Sequence, residues 1–189
     1  MFLLLAAALM TADQLSKFWA KTTFPLYGEE FRMGLGFSLT YVRNNGAAFG
    51  ILQNLSFPIG PVTLNGTILL GILSGSVALA LLIFLLRSRR RLSALQLIAL
   101  TLILSGAVGN MIDRLRLGYV VDFIHFQVPG FNFPVFNLAD SCVVVGAILL
   151  IAGNLFSPTI PRSAGTSVGN AKNLNDADFF QHLDSSENP

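Results

Sequence analysis

Three runs decide how this chain is read: Ser105-Gly106-Ala107-Val108-Gly109-Asn110-Met111-Ile112-Asp113-Arg114, then Val120-Val121-Asp122-Phe123, then Phe136-Asn137-Leu138-Ala139-Asp140. Before position 157 the acidic residues are Asp13, Glu29, Glu30, Asp113, Asp122 and Asp140, so most of the aspartates fall in these runs, against strongly apolar flanks. A carboxylate beside hydrocarbon is costly and marks a functional site by default. Gly106, Gly109, Asn110 and Asp113 recur at three- and four-residue spacing, which puts them on one helical stripe. A stripe that is small and then polar faces protein rather than lipid. Asn137 and Asp140, three apart, share a helix face in the same way.

Working outward, the composition says what kind of solvent this chain meets. Its 189 residues are 53% hydrophobic and 12% charged. Soluble domains carry about a quarter charged residues, so the chain reads as a mainly α, polytopic membrane protein. A net charge of +2 without a basic stripe excludes nucleic-acid binding. Cys142 is the single cysteine, which excludes an internal disulfide, and only His125 and His182 could join it as soft ligands. No metal and no other cofactor is expected.

Apolar runs predict four transmembrane helices, over residues 2–21, 64–86, 95–114 and 135–156, with Pro134 starting the fourth. The apolar start lacks a positive leading segment, so a retained helix is preferred to a cleaved signal peptide. Residues 64–86 are uncharged, and Gly71 and Gly75 form a GxxxG pair suited to close helix contact. Arg87, Arg89, Arg90 and Arg91 then read as a cytoplasmic anchor. That places both termini in the cytoplasm and the segments 22–63 and 117–133 outside. In 22–63, Phe37-Ser38-Leu39-Thr40-Tyr41-Val42-Arg43 alternates as a half-buried strand does, predicting a small sheet at the membrane surface. Residues 117–133 read as a loop carrying Asp122 and His125. Residues 157–189 are polar and read as a disordered cytoplasmic tail.

Two convergent carboxyls can share one proton, because like charges at close range do not both ionise easily. One then takes a proton from water while the other protonates a carbonyl oxygen. Asp122 and Asp140 are candidates for such a pair. Blander readings stand beside it. Asp113 with Arg114 is most simply an ion pair at a helix end, and Asp13 with Lys17 an i,i+4 pair. Asp122 can cap a turn, and Asp140 can bond Asn137. A Ser/His site at Ser141 and His125 lacks a nucleophile elbow. Intramembrane Asp, Asn and Lys also mark ion paths, which keeps a small cation or proton transporter open. A membrane scaffold would leave the clustered acids without a reason.

Taken together, Asp13-Gln14-Leu15-Ser16-Lys17, Asn44-Asn45-Gly46-Ala47-Ala48-Phe49, Gly109-Asn110-Met111-Ile112-Asp113-Arg114, Val121-Asp122-Phe123 and Phe136-Asn137-Leu138-Ala139-Asp140 resemble the lipoprotein signal peptidase family, signal peptidase II. The resemblance covers residues 1–156. It implies a bacterial inner-membrane aspartic endopeptidase with a periplasmic β-sheet cradle and an active site near the periplasmic face. Its implied substrates are diacylglyceryl-modified prolipoproteins, cut before the lipidated cysteine. It implies Asp122 and Asp140 as the catalytic pair and Asp13, Lys17, Asn44, Asn110, Asp113, Arg114 and Asn137 as supporting or substrate-binding residues. It further implies inhibition by the cyclic peptide globomycin. Lipid and substrate are the expected partners, and a monomer is the expected state.

Overall fold

The computed structural model describes residues 2–46, 56–59 and 62–155. The expected tail 157–189 and the run Ala47-Ala48-Phe49 lie outside these residues. In chain order the elements are α1 (Phe2–Thr23), β1 (Phe31–Gly34), β2 (Phe37–Asn44), β3 (Ser56–Ile59), β4 (Val62–Asn65), α2 (Gly66–Ser88), α3 (Ala94–Leu117), β5 (Val120–Val128), β6 (Phe131–Phe136) and α4 (Leu138–Leu155). The architecture is mainly helical with a small antiparallel sheet, as the sequence predicts. By length and composition, α2 and α3 are each apolar enough to cross a membrane, and α4 contains a shorter apolar helix.

Helix α3 is the central element, packing against α1, α2 and α4. Its glycines make that possible. A Cβ on Gly106 would lie 2.3 Å from the Ala139 carbonyl oxygen, so α4 approaches α3 backbone to backbone there. One on Gly146 would lie 2.7 Å from the Ala99 oxygen, repeating the approach from the α4 side. The GxxxG pair of α2 faces α3 too: Gly71 lies against Arg114 and Leu115, and Gly75 against Met111. A core of Phe2, Ala78, Leu85, Leu100 and Leu104 closes the other end of the bundle. Helix α3 starts at a reciprocal capping box between Ser93 and Gln96 and stops at Gly118, whose φ of +76° a side chain would resist. Along α2, Leu69, Ile72, Leu73, Val77 and Leu79 stay exposed, as on a helix whose solvent is apolar.

The strands correct the sequence reading in two places. Residues 117–133 are not a loop: β5 and β6 form a hairpin that joins β1 and β2 in one sheet, ordered β1-β2-β5-β6. Asp122 therefore sits on a strand, opposite Val42. The run Val120-Val121-Asp122-Phe123 is buried at every position, so it lacks the alternation that betrays a half-buried strand. Pro134 does not start the fourth helix either. It lies inside β6, where an edge strand tolerates the missing N–H, and the register slips between Phe133 and Phe136. Residues β3 and β4 pair separately, from Ser56↔Asn65 to Ile59↔Val62.

Candidate active site

The site assembles where the sheet meets the ends of α1, α3 and α4. Asn137 is its hub. It caps α4 with a reciprocal box: Asp140 N–H donates to Asn137 Oδ1 (2.9 Å), and Asn137 N–H donates to Asp140 Oδ2 (3.2 Å). The spacing of Asn137 and Asp140 is thus first a helix start. The Asn137 amide is free to do more, donating to Asp122 Oδ1 (2.7 Å) and Asn110 Oδ1 (3.2 Å). Asp122 Oδ2 accepts from Asn44 Nδ2 (3.0 Å), and Asp140 Oδ1 accepts from Asn110 Nδ2 (2.7 Å). Both carboxylates therefore hang on one residue, Asn137, and are held by amide donors alone; among the described residues neither has a salt-bridge partner. Asp122 is 2% exposed. That burial, then the nearby charge of Asp140, pushes its pKa up to about 7 from 3.8.

Directly beneath lies a cluster of the opposite kind. Lys17, 2% exposed, spends its three donors on Asp13 Oδ2 (2.9 Å), Asp113 Oδ2 (3.1 Å) and Asn110 Oδ1 (3.0 Å). Asp13 Oδ1 accepts the Ala139 N–H (2.9 Å), an orphan donor of the first turn of α4. Gly109 leaves room for this, since a Cβ there would lie 2.6 Å from Asp13 Oδ2. Asp113 also accepts from Val121 N (3.1 Å), fixing the strand that carries Asp122, and from Gln14 Nε2 (3.0 Å). The simple ion pair of Asp113 with its neighbour Arg114 is thus corrected: successive helix positions face different ways, and Asp113 pairs with Lys17. Asp13 also does more than pair with Lys17.

The structure brings Asp13, Lys17, Asn44, Asn110, Asp113, Asp122, Asn137 and Asp140 into one bonded network. Arg114 stands at its margin, its Nε buried and without a hydrogen-bond partner among the described residues. His125 is elsewhere. Its Nδ1 lies 2.6 Å from Glu30 Oε1 and its Nε2 2.6 Å from Asn132 Oδ1, while Ser38 donates to Glu30. Ser141 instead bonds the Asn137 carbonyl, so the two do not form a Ser/His site. No sequence pattern marks the bonds of Gln14 to Asp113 and of Glu30 to His125, because they join residues 99 and 95 apart in the chain. No group of three or more His, Cys, Asp or Glu suited to a metal occurs among the described residues.

Comparison with known proteins places the chain in a family. The family model for signal peptidase (SPase) II matches residues 5–156. Lipoprotein signal peptidases of Burkholderia ambifaria and Moorella thermoacetica are 46% and 43% identical, over 76% and 79% of this chain and 80% and 89% of theirs. That of Streptococcus pyogenes is 40% identical over 80% of this chain and 90% of its own. A solved bacterial membrane enzyme superposes with a TM-score of 0.69 at 33% identity, covering 82% of this chain and 87% of that one. A second gives 0.64 at 32% identity, covering 82% and 93%. The chain belongs to the signal peptidase II family.

Proposed function

We propose that this protein is a membrane aspartic endopeptidase that removes signal peptides from diacylglyceryl-modified prolipoproteins, cutting before the lipidated cysteine. The observation that carries the reading is the suspension of Asp122 and Asp140 from the single residue Asn137. A buried acid with a pKa near 7 is poised to hold a proton at working pH. In the reaction Asp140 takes a proton from water as the oxygen attacks the scissile carbonyl, and Asp122 gives its proton to the carbonyl oxygen. On collapse the C–N bond breaks, the amine leaves with the proton that Asp140 took, and a hydroxyl of the tetrahedral intermediate returns its proton to Asp122, so the pair again holds one. The pair titrates as a unit. No metal or other cofactor takes part.

An extended substrate loses its helical hydrogen bonds near the cut, and those groups need partners. Asn44 and the unpaired Arg114 Nε are suited to supply them. The four helices are read as spans, with Arg87, Arg89, Arg90 and Arg91 and both termini in the cytoplasm of a bacterial inner membrane. The sheet is then a periplasmic cradle, and substrate enters between helices from the bilayer. The enzyme acts as a monomer and is blocked by globomycin. The test is incubation of purified protein with a diacylglyceryl-modified precursor peptide. Cleavage before the lipidated cysteine, abolished in Asp140→Asn, is expected; near-normal cleavage by that variant would overturn the dyad. Labelling of Ser88→Cys from the periplasmic side would overturn the topology.

A further inference from the structure

The tip of the β1–β2 hairpin has a backbone that its sequence makes expensive. Gly34, Leu35 and Gly36 all lie in the left-handed region, at φ of +99°, +53° and +85°. For the two glycines this is cheap. For Leu35 it is strained, because its Cβ crowds the backbone where Asn or Asp would do better. The leucine side chain is also 95% exposed. Neither the strain nor the exposure stabilises the fold in water.

Its surroundings are consistent with an apolar medium on one side. Phe31, Met33 and Phe131 are each more than half exposed. A ring row runs from Phe37 to Phe126 (centroids 4.7 Å), then to Phe131 and Phe133 (6.4 and 6.2 Å). Behind the tip lies a cavity of about 480 Å³ between the two hairpin ends, lined among others by Glu30, Arg32, Ser38 and Gln127. The hairpin ends are pinned together, since Gln127 N–H donates to the Gly36 carbonyl (2.8 Å). The cavity offers one carboxylate and one guanidinium. Glu30 is held in place by Ser38 and His125, whose bonds keep its carboxyl below the usual range, while the Arg32 guanidinium makes no hydrogen bond or ion pair among the described residues and acts on Glu30 only at longer range. An opposite-charge pair in a headgroup-sized space complements a zwitterion, not a simple anion.

We propose that this tip is a bilayer anchor: Leu35 and Met33 enter the acyl region of the outer leaflet, and the cavity behind them seats a zwitterionic phospholipid headgroup, with Arg32 on the phosphate and Glu30 on the ammonium. The proposal rests on the membrane reading above. Buried leucine and methionine side chains favour the apolar phase and interfacial rings favour the boundary, so the anchor holds the sheet along the membrane.

The test uses the full chain in nanodiscs, with a nitroxide on Leu35→Cys in a Cys142→Ala background. In phosphatidylethanolamine discs the label is expected to be reached by oxygen and shielded from a water-soluble nickel chelate. With an uncharged glycolipid of the same chains, or with Arg32→Glu, the label is expected to rise toward water, and KM for a lipidated peptide to increase several-fold at unchanged kcat. A label open to the nickel chelate in every disc would overturn the anchor. Equal depth in the two lipids, together with no effect of Arg32→Glu, would overturn the headgroup site. The depth measurement needs no cleavage, so it fails or succeeds apart from the peptidase assignment.

Discussion

Two clusters of carboxylates share one end of this bundle and are treated in opposite ways. Asp13 and Asp113 close on Lys17, and every donor of that ammonium is used. Asp122 is as deeply buried and Asp140 half-buried, yet the two receive only amides from Asn44, Asn110 and Asn137 and the Asn137 backbone. Asn110 stands between the two, taking Lys17 on its oxygen and giving its nitrogen to Asp140. A charge matched by a cation is stable and unreactive. A pair of carboxyls hydrogen-bonded only by neutral donors, with Lys17 and Arg114 acting on it without a salt bridge, keeps a proton in play. The first cluster builds the frame; the second is left able to do chemistry.

The sharpest way to break this contrast is to neutralise one member of the second cluster. Asp122→Asn and Asp140→Asn are each expected to cut cleavage by about 10²-fold or more, the usual worth of a positioned acid or base. Thermal unfolding should change far less than cleavage, because the amide oxygen keeps one of the two hydrogen bonds each carboxylate accepts and no charge is left buried without a partner. Combining the two should cost scarcely more than either alone, as for groups that act as a unit. A peptide-cleavage assay beside a melting curve checks this.

The first cluster should fail in the other sense. Lys17→Met leaves two carboxylates buried without their cation, a change that typically costs about 3–5 kcal/mol. The expected outcome is a large drop in melting temperature and in recovered folded protein. If the Lys17→Met protein melts normally but does not cleave, the frame reading of this cluster is wrong.

Titration separates the clusters further. The folded protein holds the Asp122 proton up to a pH of about 7, whereas the unfolded chain has released it near 3.8. Between those values the folded state binds more protons, so this group's contribution makes stability fall as pH rises, and the loss is complete above about 7. Cleavage should decline over the upper part of the same window as the shared proton leaves. Asp122→Asn should flatten the stability slope there; an unchanged slope would refute the raised pKa.

The smallest effect is expected away from both clusters. His125→Ala removes the link from β5 to Glu30 and to Asn132 on β6, worth about 1 kcal/mol per bond lost. Hydrogen exchange in β1 and β6 should quicken while kcat stays put. On the proposed function the sheet covers the substrate and has to open, so it should exchange faster than the helices.

The sequence alone determined a good deal. Long uncharged runs dictated the helices, because in an apolar solvent only a fully hydrogen-bonded segment is stable. The spacing of Gly106, Gly109, Asn110 and Asp113 fixed which face of α3 meets protein. Asn137 with Asp140 carried a local helix start, legible because its bonds span three residues. The scarcity of acids pointed to the site before any contact was known. Tertiary structure decided which acid would be neutralised. Asp113 beside Arg114 and Asp122 within Val121-Asp122-Phe123 look alike in sequence, each an acid in an apolar run. Only the packing of α1 on α3 brings Lys17 to Asp113, and only the pairing of β5 with β2 brings Asn44 to Asp122. Those contacts join residues 78 to 96 apart in the chain, and no periodicity encodes them. The strand character of β5 and β6 was hidden for a related reason: a run buried on both faces does not alternate, so its partner, not its pattern, makes it a strand.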